Sequence, residues 1–135
     1  MALLTWSDKY SVGVRELDEQ HKKLVAMINE LHDAMKGGQG KTALAQILQS
    51  MAEYTQSHFA AEEKYMARFE YPEYVDHKLA HQQFIWKVSD FREAFDKGQA
   101  SLSLEVMNFL KDWLSQHILG VDKRYGPFLN QHGIR

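Results

Sequence analysis

The sequence contains no cysteine, only two prolines and no long uninterrupted apolar run. The lack of cysteine excludes disulfides, thiolate metal ligands, iron–sulfur clusters and cysteine nucleophiles from this chain. No stretch approaches the roughly 18 apolar residues that a membrane-spanning helix requires. The N-terminus also lacks the basic segment and apolar run of a signal peptide. We therefore expect a cytoplasmic protein that has no membrane partner.

The chain also lacks an excess of charge of either sign. It has 16 lysines and arginines against 18 aspartates and glutamates, a formal net charge of −2. This balance provides no basic surface for nucleic acid or an anionic membrane, and we expect neither as a partner. Its 135 residues have the length of one domain, and no linker or repeat divides them. We assign residues 1–135 to a single domain, either a whole protein or part of a longer one.

Apolar residues recur three and four positions apart, the period of amphipathic α-helices, and no alternating strand pattern occurs. The pattern predicts helices over residues 18–36, 42–69 and 72–97, and a fourth from about residue 101 or 103 to before Gly120. Asp18 is the expected N-cap of the first helix, and Pro72 is expected in the first turn of the third. Pro127 is expected at another element boundary.

Short loops between these helices favour antiparallel neighbours. The predicted fold is therefore all-α, an up-down-up-down four-helix bundle. Residues 2–17 form an N-terminal arm that we expect to pack along the bundle. The helix surfaces show no sustained exposed apolar seam, so we expect a monomer.

Histidines and carboxylates fall at one end of the predicted bundle. Residues four apart on a helix share a face, as do His58 with Glu62 and His77 with His81. The start of the first helix and the end of the fourth lie at this same end. The candidate metal ligands are His21, His58, Glu62, His77, His81, His117 and Asp122.

The spacing of His117 and Asp122 does not fit an ordinary α-helix. Five residues advance about 500°, which leaves the two side chains roughly 140° apart. Gly120 lies between them. We therefore predict a local loosening here, either a π-type turn or the end of the helix.

Imidazole and carboxylate ligands favour a transition metal of intermediate hardness such as iron. Seven ligands exceed the four of a tetrahedral zinc site, and they suit two octahedral ions that share bridging carboxylates. The alternative, hydrogen-bonded core histidines without metal, would bury many polar groups at a cost of roughly 1–3 kcal/mol each. His32 lies about 16 Å beyond His21 along the helix and is excluded from the site. His132 and Glu63 are interpreted as solvated surface residues.

Four stretches of the sequence resemble the hemerythrin family, in particular its single-domain bacteriohemerythrins. They are residues 17–21 (LDEQH), 58–62 (HFAAE), 77–81 (HKLAH) and 117–122 (HILGVD). The segment that follows, with Lys123 to Tyr125 and Pro127, and the arm around Trp6 and Gly13 are also similar to the family. The resemblance covers essentially the whole chain.

The resemblance implies a cofactor of two non-haem iron ions with an oxo or hydroxo bridge. His77, His81 and His117 would hold one iron, and His21 and His58 would hold the other. The carboxylates of Glu62 and Asp122 would bridge both. The iron with fewer ligands would keep one open place, where dioxygen binds.

The implied function is reversible dioxygen binding, for storage or for delivery to an oxygen-requiring enzyme. By the same resemblance, Trp113, Leu114 and Ile118 would wall the oxygen pocket. Tyr65 and Tyr125 could either contact the ligands or simply pack in the core.

Three other functions are less favoured, and we expect a binding protein and not an enzyme. A di-iron oxidase or peroxidase is disfavoured because ferritin-like enzymes use more glutamates and Glu-x-x-His pairs. A zinc hydrolase is disfavoured because the sequence has no His-Glu-x-x-His motif. An oxygen or redox sensor would need an output domain or partner, and none is visible in the sequence.

Overall fold

The structure is a computed structural model that describes residues 3–98 and 102–135. Its regular elements over these residues are all helical, as predicted, and a short 3₁₀ turn (Asp8–Tyr10) precedes the first α-helix. A π-helical segment (Ile118–Asp122) joins the last two α-helices. The α-helices are α1 (Arg15–Lys36), α2 (Gly40–Arg68), α3 (Tyr74–Asp96), α4 (Leu102–His117) and α5 (Lys123–Gln131).

Helices α1 to α4 form the predicted four-helix bundle. Each helix contacts the next along the chain, and α1 also contacts α4, which closes the bundle. The buried stripes meet in one core, in which Leu24 and Ile28 of α1 face Met51 of α2 and Leu110 of α4. Burying one such side chain stabilises the fold by roughly 1.5–3 kcal/mol. This apolar core fills the bundle on one side of the histidine cluster described below.

Asp18 is not the N-cap of α1, contrary to the prediction from sequence. The helix begins at Arg15, and its N-cap residue, Val14, has no side-chain capping bond. The Asp18 carboxylate instead accepts hydrogen bonds from the Ser11 hydroxyl at 2.6 Å and from the Val12 N–H at 2.8 Å. Asp18 therefore binds the N-terminal arm from within the first turn, a role that the local sequence does not distinguish from capping.

The N-terminal arm packs along the bundle as expected. The Leu4 N–H donates to the Asn29 side chain at 2.9 Å, and the Asn29 amide donates back to the Leu4 carbonyl at 2.8 Å. Farther along, the arm passes so close to α5 that a Cβ at Gly126 would lie 2.1 Å from the Val12 carbonyl oxygen. Only glycine fits this contact, because any side chain would displace the arm.

The chain after α4 differs in part from the prediction. The π-helical segment from Ile118 to Asp122 confirms the predicted loosening. Helix α5 was not predicted, and Pro127 lies inside it and not at a boundary. A proline here removes one backbone hydrogen bond, but Tyr125 and Leu129, four residues apart, both bury their side chains. This tertiary packing outweighs the local effect of the proline.

The remaining helix ends differ from the predicted ones by at most two residues. Pro72 lies in the turn before α3 and not in the first turn of that helix. Among the described residues, no helix is both long and apolar enough to cross a membrane.

The outer face of α3 carries three exposed apolar side chains, where we expected no apolar seam. The exposed fractions are 76% for Val75, 51% for Leu79 and 58% for Trp86. Their spacing of four and seven residues places them on one side of the helix. The expectation about the helix surfaces is therefore wrong for α3, and the monomeric state stays a prediction.

Candidate metal centre

All seven predicted ligands are buried, none with more than 5% of its surface exposed. Helix α1 provides one of them, α2 and α3 provide two each, and α4 with the π-helical segment provides the last two. The structure brings all of these side chains together at one level of the bundle: His21, His58, Glu62, His77, His81, His117 and Asp122.

The potential ligands form two groups. The first contains three histidines, His77, His81 and His117, and we call it the three-histidine half. Potential ligand atoms of these residues and of Glu62 and Asp122 all lie within 4.8 Å of one another. Asp122 Oδ1 lies 2.8 Å from His77 Nε2 and 3.0 Å from His117 Nε2. Glu62 Oε1 lies 3.0 Å from His81 Nε2.

The other group contains two histidines, His21 and His58, which we call the two-histidine half. Glu62 Oε2 lies 3.2 Å from His21 Nε2 and 3.5 Å from His58 Nε2. Asp122 Oδ2 lies 3.0 Å from His21 Nε2. Each carboxylate therefore directs one oxygen to each half, the arrangement that a bridge between two metal ions requires.

The π-helical segment explains how α4 delivers two ligands. In a π-helix the backbone hydrogen bonds join residues five apart, as the Lys123 N–H bonds to the Ile118 carbonyl. His117 and Asp122 are also five residues apart. The wider turn thus brings them to the same side of the chain, and their side chains meet.

The buried polar atoms at the centre indicate that it fits a metal. Among the described residues, seven buried side-chain polar atoms lack a hydrogen-bond partner, all of them on candidate ligands. One is His21 Nδ1, and the other six are potential ligand atoms: Glu62 Oε1, both Asp122 oxygens, and Nε2 of His77, His81 and His117. Leaving such an atom unpaired costs about 1–3 kcal/mol, and metal coordination would satisfy all six. Imidazole and carboxylate together suit iron, so the donor set fits two iron ions.

The protonation states of the two carboxylates and of His58 suit metal binding, whereas His21 must release a proton when a metal binds. Burial disfavours ionisation of Glu62 and Asp122, but the facing histidines hold the pKa of each carboxyl well below its usual range. Burial lowers the pKa of His58 to about 4. Burial also opposes the charged form of His21, but the adjacent carboxylates of Asp122 and Glu62 outweigh it and raise its pKa to about 10. The carboxylates are thus ionised and His58 is neutral.

Of the two tyrosines considered from the sequence, one contacts a ligand. The Tyr125 hydroxyl donates to Glu62 Oε2 at 2.5 Å. Tyr125 is completely buried, and burial together with the Glu62 charge raises its pKa well above the usual value. Tyr65 instead donates to Glu16 at 2.9 Å in an exposed position.

Two further residues contact candidate ligand histidines at Nδ1, the ring nitrogen opposite the one that faces the centre. The sequence interpretation missed both. Glu63, interpreted as a solvated surface residue, accepts a 2.9 Å hydrogen bond from His81 Nδ1 and is only 21% exposed. Gln20 Oε1 lies 2.6 Å from His58 Nδ1. Each directly adjoins a candidate ligand in the sequence, which is the one signal that could have identified them.

The residues predicted to wall an oxygen pocket are buried or half-buried, but only two of them line the same cavity. Trp113 stacks on His117 with ring centroids 4.3 Å apart. Trp113 and Leu114 line an internal space of about 10 Å³, close to the minimum for one water molecule. Ile118 is completely buried but does not line it. Phe59 forms another wall and stacks on His81 at 3.8 Å.

The chain is similar to known proteins over almost its whole length. Residues 12–129 match the family model described as the hemerythrin HHE cation binding domain. A bacteriohemerythrin from Stenotrophomonas maltophilia (strain R551-3) is 36% identical over 132 residues, covering 98% of this chain and 85% of the relative. A bacteriohemerythrin from Methylococcus capsulatus (strain Bath) is 34% identical, covering 96% of this chain and 99% of the relative.

A similar structure has also been solved. The crystal structure of wild-type hemerythrin superposes on this chain with a TM-score of 0.85 and 33% sequence identity. The match covers 93% of this chain and 97% of that one. By its sequence, its fold and its buried cluster of histidines and carboxylates, the chain belongs to the hemerythrin family.

Proposed function

We propose that this chain binds dioxygen reversibly at a non-haem di-iron centre. The observation that carries the proposal is the position of Glu62 and Asp122 between two groups of buried histidines. One oxygen of each carboxylate faces the three-histidine half, and the other faces the two-histidine half. This geometry suits two ions side by side and not a single one.

The proposed ligands follow from these distances. His77, His81 and His117 would hold one iron, His21 and His58 would hold the other, and Glu62 and Asp122 would be shared by both. When bound, two ferrous ions would supply the electrons that reversible dioxygen binding requires. The two-histidine half contributes one imidazole fewer and would therefore leave room for an exogenous ligand.

The side chains around the centre keep water and protons away from it. Trp113 and Leu114 line the apolar cavity beside the histidines. Ile118, which follows His117 in the sequence, is completely buried. A small apolar cavity stays dry, and we propose these three residues as the walls of the oxygen pocket. Excluding water slows irreversible oxidation of the iron and so favours repeated oxygenation.

The names of the relatives support this proposal. The matching family model is described as cation binding, and the similar proteins are bacteriohemerythrins. The donor set of five imidazoles and two carboxylates also differs from the glutamate-rich sets of ferritin-like enzymes. We therefore propose storage of dioxygen, or its delivery to an oxygen-requiring enzyme, and not catalysis or sensing.

The test is an oxygenation cycle with protein loaded anaerobically with ferrous iron. Exposure to dioxygen should produce a visible absorption band, and removal of dioxygen under argon should abolish it over several cycles. The Glu62→Ala variant, treated in the same way, is the control that should not show the band. Irreversible oxidation on first exposure would refute reversible binding, and turnover of an added reductant would indicate an enzyme.

A further inference from the structure

Two histidines of the centre have hydrogen-bond partners of different charge. His81, in the three-histidine half, donates from Nδ1 to the Glu63 carboxylate at 2.9 Å. His58, in the two-histidine half, has its Nδ1 2.6 Å from the side-chain oxygen of Gln20. In both rings the other nitrogen, Nε2, faces Glu62 at the centre. The two partners thus occupy equivalent places in the two halves, but only one of them carries a charge.

We propose that Glu63 and Gln20 are positioning residues that make the two halves of the centre electronically unequal. Glu63 gives the iron of the three-histidine half the lower reduction potential. Gln20 carries no charge and leaves the iron of the two-histidine half with the higher one. This inference rests on the proposed di-iron function.

Both partners select the same form of the imidazole ring. A carboxylate only accepts hydrogen bonds, so His81 must carry its proton on Nδ1 and present the Nε2 lone pair to the metal. The Gln20 side-chain oxygen selects the same form of His58. The hydrogen bonds also hold each ring at its angle, a common function of the groups behind metal-bound histidines. Orientation is therefore common to the two halves, and charge is what distinguishes them.

The charge of Glu63 acts on the metal through the ring of His81. A carboxylate partner makes an imidazole more electron-rich and a stronger ligand, and this favours the more highly charged ferric ion. Partial burial of Glu63 limits screening by water. Among the described residues, the only basic side chain within 4.0 Å of the Glu63 carboxylate is His81 itself. No neighbouring charge thus offsets its effect on the ring.

A carboxylate at the Nδ1 side of the ring is found only at His81 among the described residues. Within the described part of the chain, none of the other four candidate histidines has its Nδ1 within 4.0 Å of a carboxylate. His81 is also shielded on one face by the stacked ring of Phe59. The half that we propose to hold the exogenous ligand is therefore the half without the carboxylate partner.

The test exchanges the two partners while it conserves total charge. Three variants are compared with the wild type: Glu63→Gln, Gln20→Glu, and Gln20→Glu together with Glu63→Gln. In iron-loaded protein, mediated potentiometry follows the two one-electron steps. Glu63→Gln should reduce the preference of the three-histidine half for ferric over ferrous iron roughly tenfold. This raises the potential of the first one-electron step by about 59 mV. Gln20→Glu should lower the potential of the other half.

The double variant gives the decisive result. Its charge equals that of the wild type, but the half that oxidises first should be reversed. The halves can be distinguished in the half-oxidised protein, since three ring N–H resonances belong to one iron and two to the other. Proton NMR with ¹⁵N-labelled histidine should show the ferric pattern on three rings in the wild type and on two in the double variant. An unchanged pattern would overturn the proposal.

A second measurement does not depend on oxygen chemistry. Titration of the metal-free protein with Co²⁺ should show two sites, and Glu63→Gln should weaken one of them about 10- to 100-fold. The control is Glu19→Gln, which removes a charge next to Gln20 that is exposed and paired with Lys22. It should change neither affinity nor potential, and an effect equal to that of Glu63→Gln would refute a role through His81. Two normal Co²⁺ sites without reversible oxygenation would refute the proposed function but not the asymmetry.

Discussion

The hydroxyl of Tyr125 in α5 donates a hydrogen bond to the carboxylate of Glu62 in α2, within the buried centre of the bundle. This contact joins the short helix that follows the π-helical segment to a proposed bridging ligand. It also means that one oxygen of Glu62 has a hydrogen-bond donor in the protein, whereas the other has none.

Removing this hydroxyl should weaken the fold but preserve the metal ligands. A hydrogen bond to a charged group contributes about 1.5–3 kcal/mol, and Tyr125→Phe should lower the unfolding free energy of the metal-free protein by that amount. Urea denaturation in the presence of a chelator measures it. Tyr65→Phe, which removes an exposed hydrogen bond to Glu16, is the matched control and should change stability by less than about 0.5 kcal/mol. Equal effects of the two variants would contradict the role given to Tyr125.

The two carboxylates should determine whether iron binds as a pair. A bridging carboxylate neutralises two neighbouring cations, so Glu62→Ala and Asp122→Ala should each lose paired iron. Elemental analysis after anaerobic loading should give two irons per chain for the wild type and fewer than two for these variants. His32→Ala, on α1 but outside the centre, should retain the wild-type ratio. A wild-type ratio of one iron per chain, or iron loss only in His32→Ala, would show that the ligand assignment is wrong.

Metal removal should destabilise the protein. Six potential ligand atoms that are buried without hydrogen bonds lose their proposed partner, and metal that binds only the folded state stabilises it by mass action. At a free metal concentration 100 times the dissociation constant this contributes about 2.7 kcal/mol. The thermal midpoint should therefore fall when a chelator is added. Equal midpoints with and without chelator would be incompatible with metal binding at this buried cluster.

Shortening the pocket side chains should accelerate loss of the oxygenated form. Leu114→Ala removes buried carbon atoms, at a stability cost of roughly 2–5 kcal/mol, and should let water and small anions reach the centre. We expect near-normal iron content, faster autoxidation in air and faster azide binding. Ile118→Ala should act in the same direction but more weakly, because Ile118 does not line the cavity. Unchanged autoxidation in both variants with iron retained would show that these residues do not wall the pocket.

The sequence alone predicted the bundle and the convergence of His58 with Glu62 and of His77 with His81. Both follow from helical periodicity, because residues four apart necessarily share a helix face. The loosening before Asp122 was also predictable, since a regular α-helix could not direct His117 and Asp122 to one point. These features depend on geometry within a single helix or on the order of the helices.

What the sequence did not reveal depends on contacts between elements. Asp18 holds the arm and does not cap α1, because the Ser11 hydroxyl and the Val12 N–H lie within its reach. Glu63 looked like an ordinary surface residue because periodicity cannot show that His81 of the next helix faces it. The sequence predicts a boundary at Pro127 because the packing of α5 against the arm is not encoded locally.

The π-helical segment sets the rotation of everything that follows it. If residues 118–122 formed a regular α-helix of the same length, His117 and Asp122 would point roughly 140° apart. Asp122 and Tyr125 would then leave the centre together, and the glycine that accommodates the arm would turn away from it. Deleting one residue between His117 and Asp122 would instead keep them aligned, because residues four apart on an α-helix share a face. In this bundle, a more regular helix of unchanged length would dismantle the metal site and release the arm.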